Sequence, residues 1–193
     1  MDASDWDSRY AAAQRWSDEP NALAADLLGE LPPGTAIDVA AGEGRMALWL
    51  ATRGWQVTAL DFSAAGLRRG QGRADELGLS VTWKVADATT VDLGAERYDL
   101  VLVLHLHLSR AALPQVLRRC ADAVAPGGRL LVLGHDRDNI AHGVGGPPDP
   151  DVLYDVELLT TAATGLDIER GEQVRRQVGD AVALDTLLLA HRR

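Results

Sequence analysis

Asp38-Val39-Ala40-Ala41-Gly42-Glu43-Gly44-Arg45 is the stretch that decides the fold. It stands between two segments of different character. Residues 35–40 follow a Pro32-Pro33-Gly34 turn and read as a strand, and residues 46–53 read as a helix, with Met46 and Leu50 one turn apart and Gly54 as the stop. Glycines at such a bend let the chain turn sharply and let a ligand approach where a Cβ would stand in the way. Unpaired amides at the start of the helix favour an anionic group. The competing reading is a tight turn with no ligand; the strand-turn-helix context favours a ligand loop.

Outward from this loop the same alternation continues. Residues 55–60 read as a second strand, Ser63 as the cap of a helix reaching Leu77 and closed by Gly78, and residues 81–86 as a third strand. Gly66, Gly70 and Gly72 make that helix a weak one by propensity. Residues 98–104 form a continuous apolar run, expected of a strand buried on both faces. Ser109 is expected to cap a helix whose stripe is Leu113, Val116, Leu117, Cys120 and Val124, ended by Pro126-Gly127-Gly128 before a fifth strand at 129–134. A Gly/Pro/Asp-rich segment at 136–151, a helix at 155–164 and strands at 166–174 and 181–190 complete the chain. Alternating strands and helices predict parallel units with right-handed crossovers in a doubly wound α/β sheet. The last two strands have only the polar stretch 175–180 between them, so they should pair antiparallel.

The glycines alone do not choose the ligand. Gly42-Glu43-Gly44-Arg45-Met46-Ala47 also fits the dinucleotide pattern, with Asp61 near the required distance. Asp38 separates the two readings, because an acid at the strand end would face the pyrophosphate of NAD unfavourably. S-adenosylmethionine (SAM) has no phosphate and carries an ammonium group. Asp87, in Val85-Ala86-Asp87-Ala88, adds a third acid at a third strand end. Three carboxylates at successive strand tips suit a ligand with a cationic amino acid end, a ribose diol and an adenine.

The series Asp38…Gly42-x-Gly44, Asp61-Phe62-Ser63, Asp87-Ala88, Tyr98-Asp99-Leu100-Val101 and Pro126-Gly127-Gly128 resembles class I SAM-dependent methyltransferases. The stretch Ala41-Gly42-Glu43-Gly44-Arg45 and the opening Trp6-Asp7-Ser8-Arg9-Tyr10 look most like the branch containing tellurite-resistance-type and thiopurine-type enzymes. The resemblance implies a three-layer αβα Rossmann-like fold, with a mostly parallel seven-stranded sheet in the order 3-2-1-4-5-7-6. It implies methyl transfer from SAM, leaving S-adenosylhomocysteine (SAH). Asp38 with the backbone of Ala40, Gly42, Gly44 and Arg45 would hold the methionine part. Asp61 and Ser63 would lie at the ribose, Phe62, Asp87 and Ala88 at the adenine, and Leu104 at the end of the fourth strand. Ala40 replaces the first glycine of the family's usual D-x-G-x-G-x-G.

Methyl transfer asks for alignment and water exclusion, and for a base only where the acceptor must lose a proton. His105, His107 and His135 follow the fourth and fifth strands, at the edge where open α/β sheets bind ligands, and are the candidate bases. Each has an alternative structural reading. No metal site is expected from them, since their spacing is loose and no acidic partner is adjacent. Trp6, Tyr10 and Trp16 lie ahead of the first strand on a helical extension (1–34), either as a hydrophobic latch or folded over the cofactor. Residues 136–151 are a candidate substrate lid, or a plain surface loop.

Composition narrows the remainder. With 193 residues the chain has room for one domain, an extension at 1–34 and a core at 35–193. A net charge of −9, with Lys84 the single lysine, weighs against nucleic-acid partners, which require a cationic footprint. One cysteine, Cys120, allows no intrachain disulfide. The acidic opening Met1-Asp2-Ala3-Ser4-Asp5 does not read as a signal peptide, and no apolar run spans a bilayer. The expectation is a cytoplasmic monomer or homodimer acting on a small molecule. An NAD-dependent oxidoreductase and a non-catalytic SAM-binding regulator are the alternatives.

Overall fold

Strands and helices alternate as the sequence predicts. This computed structural model describes residues 2–14, 17–93 and 97–193. In chain order they form α1 (Ala3–Ala12), α2 (Ala22–Leu28), β1 (Thr35–Val39), α3 (Arg45–Thr52), β2 (Gln56–Asp61), α4 (Ala64–Leu77) and β3 (Val81–Val85). Then come β4 (Tyr98–Leu104), α5 (Leu113–Asp122), β5 (Val124–His135), α6 (Asn139–His142), α7 (Val156–Ala162), β6 (Asp167–Val178) and β7 (Ala181–His191). The sheet order is β3-β2-β1-β4-β5-β7-β6, the Rossmann-like order expected. β7 runs antiparallel to β6, as their hairpin connection requires, and also to β5. Among the described residues, no helix is long and apolar enough to cross a membrane.

Packing divides the chain into two compact units, residues 1–91 and 92–193. In the first, β1 and β3 pair in parallel with β2, and Ala36 to Val39 are buried. Ser63 caps α4 as expected, accepting from the Gly66 N–H at 3.1 Å, and Gly78 closes it in the left-handed region at φ 65°. Two of the helix's glycines are explained by closeness. A Cβ at Gly70 would stand 2.5 Å from the Trp83 ring and 2.6 Å from the Glu43 carbonyl oxygen, and one at Gly66 would stand 2.9 Å from the Gly42 carbonyl oxygen. Helix propensity is given up so that α4 can press on the loop after β1. Gly72 has no such contact. α1 docks on α4 through Asp7, whose Oδ1 accepts from Ser63 Oγ at 2.6 Å and from the Ala65 N–H at 2.9 Å.

In the second unit, Leu100, Val101, Leu102 and Val103 are fully buried, which accounts for the unbroken apolar run. Each such side chain contributes on the order of 1.5–3 kcal/mol relative to an exposed one. α5 buries Leu113, Val116, Leu117, Cys120 and Ala121, the expected stripe. Three boundaries differ from expectation. α5 begins at Leu113 rather than beside Ser109, because Ser109 closes a separate turn with the Ala112 N–H and Pro114 then enters the first helical turn. Pro126-Gly127-Gly128 does not separate helix from strand but lies inside β5. The β4–β5 register jumps there between Tyr98 and Leu100, and the Gly127 N–H bonds the Arg192 carbonyl. The final hairpin turns only at Gly179-Asp180, so β6 absorbs most of the stretch expected to be a loop.

Candidate functional site

Each unit concentrates unusual chemistry at the C-terminal ends of its parallel strands. In the first unit, Asp38, 3% exposed, is the penultimate residue of β1, and β2 ends in Asp61, 5% exposed. The chain between β1 and α3 passes through the left-handed region at Ala40 (φ 63°), Gly42 (φ 60°) and Gly44 (φ 74°). For the two glycines this conformation is free of strain; for Ala40 it is not. The Asp61 carboxylate fastens the loop, accepting from the Gly42 N–H and the Ser63 N–H, each at 2.8 Å. Burial raises the Asp61 pKa, against the pull of those backbone donors. Asp38 is raised further, to about 7, by burial and then by the Asp61 charge; Arg45 and the Ala47 N–H oppose the shift without cancelling it. Gly44 caps α3 without a side-chain acceptor. Two buried acids beside a helix start thus form a cradle that a cation would relieve.

The other residues expected around this loop lie in the same unit. Phe62 is half-buried and Ala88 is buried. Asp87 is exposed, and its Oδ1 closes its own turn by accepting from Thr89 N–H and Oγ1, both at 2.7 Å. Tyr10 is buried against α4, 3.1 Å from where a Cβ at Gly66 would stand, and its ring stacks on Trp6 at 5.4 Å. Such packing is common to both readings offered for these aromatics. Trp16 lies outside the described residues. The sequence reading missed Trp83, whose ring fills the space below Gly44 and Gly70, and Asp7; the two under-propensity glycines of α4 were the available signal.

In the second unit the three histidines come together. His105 and His107 follow β4, whose last residue is Leu104, and His135 ends β5. Their ring centroids are 5.0, 5.7 and 6.5 Å apart, and one nitrogen from each lies within 4.8 Å of the others. The separation in sequence that argued against a metal site disappears in the fold. So does the lack of an acid: Asp185 of β7, fully buried and opposite His135 in the β5–β7 register, has its Oδ1 3.1 Å from His135 Nδ1. Arg176 Nε reaches Asp185 Oδ2 at 2.6 Å. Burial would raise the Asp185 carboxyl, but His135 and Arg176 hold it well below the usual carboxylate range. Burial lowers His105 to about 3 and His107 to about 4, so both rings are neutral at physiological pH.

The segment expected as a lid is fastened at its start. Asn139 is buried and accepts from the Leu184 N–H at 2.7 Å while donating to the Gly145 carbonyl at 2.8 Å, and Asp136 accepts from Thr186 Oγ1 at 2.6 Å. The remainder, from 145 to 151, is mostly exposed.

Residues 36–128 match the family model described as a methyltransferase domain. The demethylmenaquinone methyltransferase of Thermus thermophilus is 32% identical over 126 residues, covering 64% of this chain and 56% of that enzyme. Other curated relatives are matched over as little as 34% of their length. Among solved structures, TehB from Haemophilus influenzae shares the fold with a TM-score of 0.76 at 15% identity, over 90% of this chain and 63% of its own. A SAM-dependent methyltransferase structure from Methanosarcina mazei does so with a TM-score of 0.71 at 14% identity, over 90% and 98%. Motif series, strand order and the matched stretch at 36–128 agree in their likeness to class I SAM-dependent methyltransferases.

Proposed function

We propose that the loop after β1 binds SAM and that the chain directs methyl transfer to a small-molecule acceptor, at an N, O, S or metalloid nucleophile. The observation that carries this reading is the pair of buried acids, Asp38 and Asp61, flanking a left-handed glycine bend. An ammonium group relieves the charge that burial and mutual repulsion make costly at Asp38. The pyrophosphate of NAD would aggravate it. In this reading Asp38 and the backbone of Ala40, Gly42, Gly44 and Arg45 hold the amino acid end. Asp61, with one carboxylate oxygen on each side of the loop, takes the ribose hydroxyls through its remaining lone pairs. Ser63 keeps Asp61 aimed, while Phe62, Asp87 and Ala88 line the adenine end. When bound, SAM supplies an electrophilic methyl on a sulfonium; the chain's part is to orient, desolvate and shield. A small acceptor is supported by the net charge of −9, which disfavours polyanions, and by the demethylmenaquinone, a single molecule rather than a polymer, in the name of the Thermus relative.

Isothermal titration with SAH and with NAD tests the reading. SAH should bind, and Asp61→Ala should weaken it by about 1–3 kcal/mol, the cost of leaving buried hydroxyls unpaired. Binding of NAD without SAH would overturn the proposal. Tight SAM binding with no labelled methyl passed to a broad panel of small acceptors would favour a regulator instead.

A further inference from the structure

We propose that His105, His107 and His135 form a binding site for a divalent first-row transition-metal ion, with Asp185 as the carboxylate that orients His135. The inference is independent of SAM. Four observations carry it.

One nitrogen from each ring already lies within 4.8 Å of the other two. A tetrahedral ion with bonds of about 2.0–2.1 Å needs its ligands roughly 3.3 Å apart, a gap that small side-chain rotations close. The Nδ1 atoms of His105 and His107 are buried and have no hydrogen-bond partner among the described residues. Buried polar atoms are seldom left so, and an unfilled ion site is one of the few explanations for such atoms. His135 Nδ1 lies at ion-pair distance from Asp185 but out of hydrogen-bond alignment, so a modest ring rotation can complete a carboxylate–histidine–metal relay. Arg176, the cation facing the cluster, is held by both oxygens of Asp185, which offsets its repulsion of a bound ion.

The frame around the rings is built to hold them. His105 sits in the left-handed region at φ 55°, an unfavourable conformation for a side chain with a Cβ, and its N–H is tied to the Leu133 carbonyl at 2.7 Å. Tyr154, fully buried, donates its hydroxyl at 2.5 Å to the carbonyl of Leu106, the residue between His105 and His107 in the chain, and its N–H to the His135 carbonyl at 2.9 Å. One residue therefore braces both ligand-bearing segments. The donor set of neutral imidazoles suits zinc and its neighbours rather than magnesium or calcium, and three protein ligands leave a coordination position open.

The test uses the whole 193-residue chain without a purification tag, stripped with a chelator and titrated with ZnCl2. One equivalent should bind with a Kd below about 1 μM. His107→Gln and His135→Gln should each weaken binding at least 100-fold, and Asp185→Asn about 10–100-fold. His142→Gln and His191→Gln should bind as the parent does. No saturable binding by the parent, parent-like binding by the cluster variants, or loss of binding in His191→Gln would overturn the proposal. Should the cluster variants fail to fold, X-ray absorption on the zinc-loaded parent decides. Three imidazole nitrogens at about 2.0–2.1 Å are expected, and fewer than three overturn the site. Because the readout needs no SAM, a negative result here leaves the methyl-transfer reading untouched.

Discussion

The loop after β1 and the histidine cluster after β4 and β5 both force a residue with a Cβ into the left-handed region, Ala40 at φ 63° and His105 at φ 55°. They also bury ionisable groups, yet they answer acid in opposite directions. At Asp38 the folded state raises the pKa from 3.8 to about 7, so the folded form takes up a proton first. That contribution to stability is complete below pH 3.8 and is lost as pH rises through 7. At His105 and His107 the folded pKa falls from 6.5 to about 3 and about 4, so the unfolded chain takes up protons first. Their contribution is complete above pH 6.5 and is lost as pH falls toward 4. Burial is the leading cause in both cases; the difference lies in whether the charged form is the base or the acid. One region is poised for a cation, and the other presents neutral donors.

The largest expected effect tests the first half of that contrast. Asp38→Asn should raise the unfolding free energy of the ligand-free protein by about 2–4 kcal/mol at pH 8 and leave it nearly unchanged at pH 4. Urea denaturation at the two pH values reads it. A uniform effect at both would mean that Asp38 is charged throughout. Next comes the histidine side, measured in chelator. Within the Asp38→Asn background, stability should drop by a comparable amount, on the order of 2–4 kcal/mol, between pH 6.5 and 4. Replacing His105 and His107 with glutamine should flatten that slope, and a slope that survives both replacements would assign it to other groups. The smallest effect separates the two strained residues. Ala40→Gly should stabilise by about 1 kcal/mol, because the methyl only adds strain. It should leave zinc affinity unchanged. A destabilised Ala40→Gly would show that the methyl makes packing contacts worth more than the backbone strain.

The acids near the tips of β1 and β2 and the caps of α4 were legible because each depends on short-range chemistry: a glycine bend, a strand end, a serine before a helix. The sheet order was expected only from the resemblance to a known family. The start of α5 was misplaced because Ser109 serves a turn of its own before Pro114, and a cap at one turn looks like a cap at the next. The histidine cluster was half legible. His-x-His at a strand end is a local pattern, but His135 joins it across the β4–β5 pairing and Asp185 across β5–β7, contacts separated by dozens of residues. Arg176 reaches Asp185 from the neighbouring strand of the same hairpin, in a stretch read as a loop. Asp87 shows the converse: read as ending the third strand, it stands two residues beyond β3, and its carboxylate is largely engaged with its own turn.

β6 is one of the two edge strands of the sheet, and an edge strand is a template on which another extended chain can add. Exposed Ile168 and Val178 mark its two ends, and between them stand Glu169, Arg170, Glu172, Arg175 and Arg176. Charges of mixed sign along an open edge discourage chains from stacking, by requiring an incoming strand to match them or be repelled. Salt shortens the range of that protection to about 3 Å at 1 M. Concentrated stocks of this protein should therefore keep their colloidal stability better in dilute buffer than in brine.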